Sequence, residues 1–383
     1  MRKTTIVLLI LATVLVLAGA IFFVGEMIML KWDFSKLSTA KFETNTHTIT
    51  EDFIDIDIKA IEARVTLLPS EDDECSVVCY ERKNVKHTVF VLDGKLMIEA
   101  KDERKWYDYI GINFKKPTIT LYLPKATYDT LSISTGTGDV TIPKVFSFDK
   151  IAVTVSTGNI KNYASATDAV SLNASTGDIT VDSLSVGALS LSVSTGHVTV
   201  SNVACAGDMT LNVSTGKANL SATTCQTFSS EGSTGDISLR DVTIKGDSSI
   251  KRSTGDVTMT DVTSTGSITA NTTTGKVHLA RVTCKNLTSK ANTGDITLRD
   301  TVATETFSIE RSTGDVTFER ADAASIYVLT DTGDVKGCLR TPKVFITKTD
   351  TGRIDVPDSA TGGRCEITTD TGTITMTISD AQS

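Results

Sequence analysis

The chain has 383 residues and a formal charge of −8, from 38 basic against 46 acidic side chains, which excludes a strongly basic nucleic-acid binder. Apolar residues at 40% and charged residues at 22% exclude wholesale disorder. Sixty-two threonines, 52 of them beyond residue 100, set against only 6 prolines, bias the chain toward β structure, because a side chain branched at Cβ suits a pleated surface better than a helix.

Residues 4–25 form an uncharged run preceded by Arg2 and Lys3. At ~1.5 Å per residue such a helix reaches about 33 Å, enough for the ~30 Å hydrocarbon layer. Ala18-Gly19-Ala20 offers the small residues of a signal-peptidase site, but the apolar run continues through Ile21-Phe22-Phe23-Val24, longer than the ~7 to 15 residues of a secretory core. The reading is an uncleaved anchor in the lipid bilayer, with residues 1–3 in the cytoplasm and the rest outside the cell membrane, as the basic N-terminal flank favours. Residues 26–45 read as a polar linker.

Residues 46–130 read as an N-terminal β cap region. Ile54-Asp55-Ile56-Asp57-Ile58, Val65-Thr66-Leu67 and Thr118-Ile119-Thr120-Leu121-Tyr122-Leu123 alternate as strands do. The segment Trp106-Tyr107-Asp108-Tyr109 either offers an exposed aromatic contact surface or covers the open end of the repeat array that begins at residue 131.

From residue 131 to 380 one phrase recurs, with glycines at 138, 158, 177, 196, 216, 235, 255, 275, 294, 314, 333, 352 and 372. Thirteen units at a period of 19 or 20 residues are the signature of a solenoid. Thr precedes every one of these glycines, and Val or Ile stands two residues after all but Gly216, where Ala218 replaces it. Alternation on both sides of the Thr-Gly corner gives two short strands per unit. Thr then Gly suits the central positions of a type II turn, where only the second needs positive φ. The fold class is therefore all-β: a parallel β-solenoid of about 13 coils, right-handed by the crossover rule.

The residue after the glycine is Asp in seven units, a column reminiscent of calcium-binding repeats, but His197, Lys217, Lys276 and Arg353 share that column. A turn-stabilising role follows, and Asp331, Asp334, Asp350 and Asp370 form the one local acidic group with oxygen ligands for an ion. Cys205, Cys225 and Cys284 each lie nine residues after their glycine and read as packed free thiols, although Cys205 and Cys225 fall on adjacent coils, within disulfide reach. Cys75 and Cys79 are too far apart along one strand to bridge. The spacing of His47, His87, His197 and His278 yields neither a triad nor a zinc pattern. The sequence thus assigns no catalytic, cofactor-binding or metal-ligating residue.

The Ser-Thr-Gly-Asp-Val/Ile repeats, the N-terminal anchor and Trp106-Tyr107-Asp108-Tyr109-Ile110-Gly111 resemble a bacterial β-strand-repeat family of unknown function whose members are often labelled adhesins. The resemblance covers residues 40 to 380 and implies a surface-exposed solenoid, with relatives linked to envelope-stress systems and no catalytic residues to carry over. The expected function is a non-catalytic surface interaction, adhesion or envelope accessory protein, with an envelope protein or glycan as partner and no nucleic acid. Two alternatives stand beside it: a polysaccharide lyase or hydrolase on a β-helix, and a self-assembling scaffold.

Overall fold

The computed structural model describes residues 3–33, 40–109 and 115–379. The coil that opens at Gly177 shows how the alternating pattern builds the fold. Ile179, Val181, Leu184, Val186, Leu189, Leu191 and Val193 all point inward and are buried, while the Ser and Thr residues between them point outward or lie at the rim. The strict alternation breaks twice, between Val181 and Leu184 and between Val186 and Leu189, and the chain turns a corner at each break. Each unit therefore has three arms, not the two expected from the sequence.

The overlooked corner lies six residues after the glycine. Ser183, Asn202, Ala222, Asp241, Asp261, Arg281, Asp300 and Arg320 hold φ between 47° and 57° there. Left-handed backbone at non-glycine residues costs on the order of 1–2 kcal/mol each, so the packed arms on either side impose it. No single residue type marks this column, which is why periodicity alone did not reveal it.

At the glycine corner the expectation of a type II turn is corrected. The thirteen glycines have φ from 123° to 159°, more extended than the ~80° of such a turn. Each corner keeps its place in the parallel ladder: the Gly177 N–H donates to the Thr195 carbonyl at 3.0 Å, and the Gly196 N–H to Thr215 at 3.0 Å. The glycines sit on one another. A Cβ on Gly177 would fall 2.0 Å from the Gly158 carbonyl oxygen, and one on Gly255 would fall 2.2 Å from that of Gly235. The repeat glycine is thus required by the neighbouring coil as much as by its own φ.

Coil stacks on coil in parallel register, as in Ile179↔Val198↔Ala218↔Ile237 along one arm, and a continuous column of buried aliphatic side chains fills the centre. The ends depart from sequence order. At the C-terminal end, Val316–Thr332 pairs with Gly363–Thr371, which in turn pairs with Lys343–Thr351. The Gly372 coil is therefore inserted between the Gly333 and Gly352 coils, and the Gly352 coil is outermost. At the other end, Asp55–Glu62 pairs with both Lys95–Asp102 and Thr127–Thr137, and Arg64–Pro69 pairs with both Thr118–Leu123 and Val140–Ile142. The first coil is thus sandwiched by two later ones.

Residues 46–130 are accordingly more than a cap, since they contribute two coils of the solenoid itself. The cap proper is antiparallel: Cys75–Arg82 covers the edge of Thr118–Leu123, Val85–Leu92 covers Lys95–Asp102, and Phe42–Ile49 adds outside Cys75–Arg82. The N-terminal helix runs Lys3–Met29, four residues past the expected span, and the first strand begins at Phe42, so the expected linker 26–45 is shortened from both sides.

Candidate functional site

Outward positions on the arm that leads into each glycine line up into straight rows along the rod. One row holds Asn212, Glu231, Lys251, Asn271, Lys290 and Glu310; the other holds Ser214, Ser233, Ser253, Thr273, Asn292 and Ser312. Between them runs an open groove of about 670 Å³ that crosses six coils. Charges in the first row pair from coil to coil, Lys251 with Glu231 at 3.2 Å and Lys290 with Glu310 at 2.5 Å. The Asn271 side-chain oxygen accepts the Lys290 backbone N–H at 3.0 Å. The groove offers hydroxyls, amides and neutralised ion pairs, a surface suited to hydrogen bonding with a long polar ligand. The second row was legible as the residue before each Thr-Gly, most often serine; the first was not, because its residue types alternate.

The aspartate column does structural work. Asp178 Oδ1 accepts the His197 N–H at 2.8 Å, His197 Nδ1 accepts that of Lys217 at 2.9 Å, and Asp256 Oδ1 accepts that of Lys276 at 2.7 Å. Each side chain satisfies the corner N–H of the next coil, and the cations interleave, as in Lys217 with Asp236 at 3.0 Å. Accepting a backbone N–H, together with the adjacent lysine, holds the Asp236 carboxyl below the usual range, and the N–H of Asp315 is the largest such influence on Asp295. Of the acidic group at the C-terminal end, Asp334 spends one oxygen on the Thr373 N–H at 2.8 Å. Asp331, Asp370 and Asp350 follow one another on consecutive coils because the last coil is inserted, and Asp350 pairs with Lys348 at 3.0 Å.

Two arginines point inward, where every other coil carries a small or apolar residue. Arg252 and Arg311 are 4% and 1% exposed. Arg252 Nη2 donates to Ser230 Oγ at 2.8 Å, over the space left by Gly232. Arg311 donates to the Ser289 hydroxyl and carbonyl and to the Glu310 carbonyl. Among the described residues neither has a carboxylate partner, and each leaves Nε unpaired. Burial pushes both guanidiniums down, Arg311 to about 10.

The cap holds a buried cluster of titratable side chains that sequence spacing missed. Ligand atoms of Cys79, Glu81 and His87 lie within 4.8 Å of one another, and all three residues are buried. Glu81 Oε2 accepts from both the backbone N–H and the ring Nδ1 of His87, at 2.7 and 2.6 Å, and Oε1 accepts from Asn45 Nδ2 at 2.6 Å. His47 and His87 line one cavity of about 360 Å³. Burial, helped by the Glu81 carboxylate, pushes the Cys79 thiol up to about 12.

The remaining candidates sort simply. Cys205, Cys225 and Cys284 are buried free thiols, as are Cys75 and Cys365, while Cys338 is half-buried. Trp106 stands 76% exposed on a short 3₁₀ turn, Trp106–Tyr109. It does not close the end of the rod, because the antiparallel strands do; Ile110 and Gly111 lie outside the described residues.

A family model described as Toastrack DUF4097 matches residues 53–265 and 260–383. The chain belongs to this family. No curated protein matches the sequence at a significant level. Among solved structures, the Toastrack chain is similar to a putative adhesin from Parabacteroides merdae, at 15% identity and TM-score 0.30, over 72% of this chain and 97% of that one. A putative adhesin from Parabacteroides distasonis is 13% identical with TM-score 0.29, over 88% and 98%. A putative lipid binding protein from the same organism is 11% identical with TM-score 0.23, over 90% and 98%.

Proposed function

We propose that this Toastrack protein is a membrane-anchored, non-catalytic rod outside the cell membrane, whose polar outer face binds an extended glycan of the cell envelope. The observation that carries this reading is the groove across six coils. Its hydroxyl and amide rows repeat at the strand spacing of ~4.8 Å, which suits a polymer with repeated polar groups better than a compact metabolite. The helix Lys3–Met29 supports anchoring, because its large apolar side chains from Ile6 to Val24 are exposed.

Purified full-length chain in detergent micelles, presented to an array of envelope polysaccharides, is expected to retain at least one of them. Ser253→Trp, which obstructs the groove from its second row, is expected to lower that binding at least tenfold. Binding insensitive to this change refutes the groove, and turnover of the bound glycan refutes the non-catalytic reading. Protease applied to intact cells is expected to digest the chain beyond residue 40, and full protection refutes the topology.

A second reading has its own observation. The outermost strand Lys343–Thr351 pairs on one edge only among the described residues, with Val344 and Ile346 exposed. An unprotected parallel edge favours self-association. Sedimentation of the full chain separates the two, since a monomer at high concentration removes the scaffold reading.

A further inference from the structure

Charge on the cap is sorted to opposite ends of its strands. Arg64–Pro69 starts on a base and runs into the acidic turn Glu71-Asp72-Asp73-Glu74, and the returning strand Cys75–Arg82 ends on Arg82 and Lys83. The basic end is also where the chain coming from the helix enters: the Lys83 N–H donates to the Lys41 carbonyl at 3.0 Å, and Phe42 lies opposite Arg82. We propose that this basic end of the cap docks on anionic phospholipid headgroups of the bilayer that holds the helix Lys3–Met29, with Trp106 seated at the membrane–water boundary. The proposal rests on the anchored reading above and adds the protein surface that meets the membrane.

The basic groups gather around one cavity. Arg64, Arg82, Lys115 and Lys116 line about 300 Å³ together with Glu62 and Asp139. The Arg64 N–H donates to the Pro117 carbonyl at 3.0 Å, which brings the two lysines beside it. Both carboxylates are already engaged, Asp139 with Arg64 at 3.3 Å and Glu62 with Arg82 at 3.2 Å. Lys115 and Lys116 are exposed, and no carboxylate among the described residues pairs with them. The wall thus holds an excess of positive charge in a chain whose net charge is −8. A phosphodiester headgroup supplies the missing negative charge and accepts hydrogen bonds from ammonium and guanidinium alike.

Arg104 ties Trp106 to the same wall. Its guanidinium pairs with Glu62 at 2.6 Å, and Trp106 follows two residues later at the start of the turn Trp106–Tyr109, 76% exposed. An indole, with an apolar body and a polar N–H, suits the headgroup boundary. Each lysine close to an anionic surface adds about fivefold in affinity.

The tether is short enough to enforce the encounter. Only residues 30–41 separate the helix end at Met29 from Phe42, a reach on the order of 40 Å when fully extended. The cap therefore meets the headgroups at high effective concentration, so that a few weak contacts suffice. Salt weakens those contacts, because the Debye length falls from ~8 Å at physiological ionic strength to ~3 Å at 1 M.

The test uses the full chain carrying Trp32→Phe, which leaves Trp106 as the one tryptophan, reconstituted in nanodiscs of phosphatidylcholine alone or with about one third phosphatidylglycerol, each containing lipid spin-labelled at the headgroup as quencher. In anionic discs the Trp106 emission is expected to shift to the blue and its quenching to rise at least threefold over neutral discs, and 1 M salt is expected to reverse both. Lys115→Glu combined with Lys116→Glu, at two exposed positions, is expected to return anionic discs to the neutral value with an unchanged melting temperature. Should that variant unfold, the lipid and salt arms on the Trp32→Phe chain decide alone. Equal quenching in the two kinds of disc, or quenching that the folded lysine variant leaves intact, would overturn the docking. A Trp106 response to soluble polyphosphate in neutral discs, with none to anionic lipid, would also overturn it and assign the cavity to a phosphate polymer. Failure of the chain to insert into neutral discs is a separate result, since it refutes the anchor and this inference with it.

Discussion

Arg311 tests whether the core of the rod is built for stability at every coil. Its guanidinium is 1% exposed and, among the described residues, has no carboxylate partner and makes its hydrogen bonds to Ser289 and Glu310 only. Burial holds it down at about 10, with Asp295 pulling only weakly the other way. Against an ordinary value above 12, keeping the group charged at neutral pH costs about 3 kcal/mol. Because the folded value is depressed, this cost is present below about pH 10 and disappears only as the pH rises toward 12. Replacement by the similarly long, apolar Met removes the charge while filling the volume. It leaves Ser289 Oγ its own bond to the Ala270 carbonyl at 2.8 Å. After subtracting the three lost hydrogen bonds, at ~1 kcal/mol each, Arg311→Met is expected to be close to neutral, whereas Arg311→Ala leaves a void and destabilises. Thermal melts read the sign, and hydrogen exchange over residues 287–332 shows whether the change stays local, as nearest-neighbour coupling in a solenoid requires. Loss of more than about 1 kcal/mol on Arg311→Met would refute the reasoning and show that the guanidinium network outweighs its desolvation.

Other outcomes rest on the same geometry. Gly255→Ala, which drives a Cβ to 2.2 Å from the Gly235 carbonyl oxygen at a φ of 140°, is expected to cost more than about 3 kcal/mol, seen as a lowered melting temperature and lost exchange protection in the flanking coils. Asp256→Ala removes the acceptor for the Lys276 N–H and should cost only about 1 kcal/mol in a urea titration. Since Asp236 and Asp295 are held below the usual carboxylate range, their contribution is complete above about pH 4 and lost as the pH falls further; acid titration followed by circular dichroism should show destabilisation only in that window. Maleimide under native conditions is expected to label Cys338 first, because burial pushes the Cys225, Cys284 and Cys365 thiols up to about 12; rapid labelling of Cys225 would contradict its packed position.

What could be read without coordinates was whatever a single column states in one residue type. The thirteen Thr-Gly corners and the Val or Ile two places later carry the parallel solenoid, since a repeated side chain at a fixed period is itself the stacking rule. The left-handed corner at Ser183 and its equivalents was hidden, because tertiary packing imposes that backbone on Asn, Ala, Asp and Arg alike. The cluster of Cys79, Glu81 and His87 was equally hidden. Cys79 and Glu81 share a strand face by simple alternation, but a hairpin turn brings in His87 from 8 residues beyond Cys79, and an antiparallel register brings in Asn45 from 34 residues before it. Neither turn nor register leaves a fixed spacing for pattern reading to find. The inserted coils were invisible for another reason: Gly352 and Gly372 satisfy the same column equally well in either order.

That insertion sets where such a rod can change length in evolution. A duplicated unit between the Gly158 and Gly314 coils only adds another identical layer, because every layer there follows its predecessor in the chain. A unit added after Gly372 has no such place, since the Gly372 coil lies inside the stack and the outer face already belongs to an earlier segment. The two ends behave as fixed fittings on an extensible shaft, and homologues of different reach are expected to differ in the number of middle layers while keeping both end arrangements.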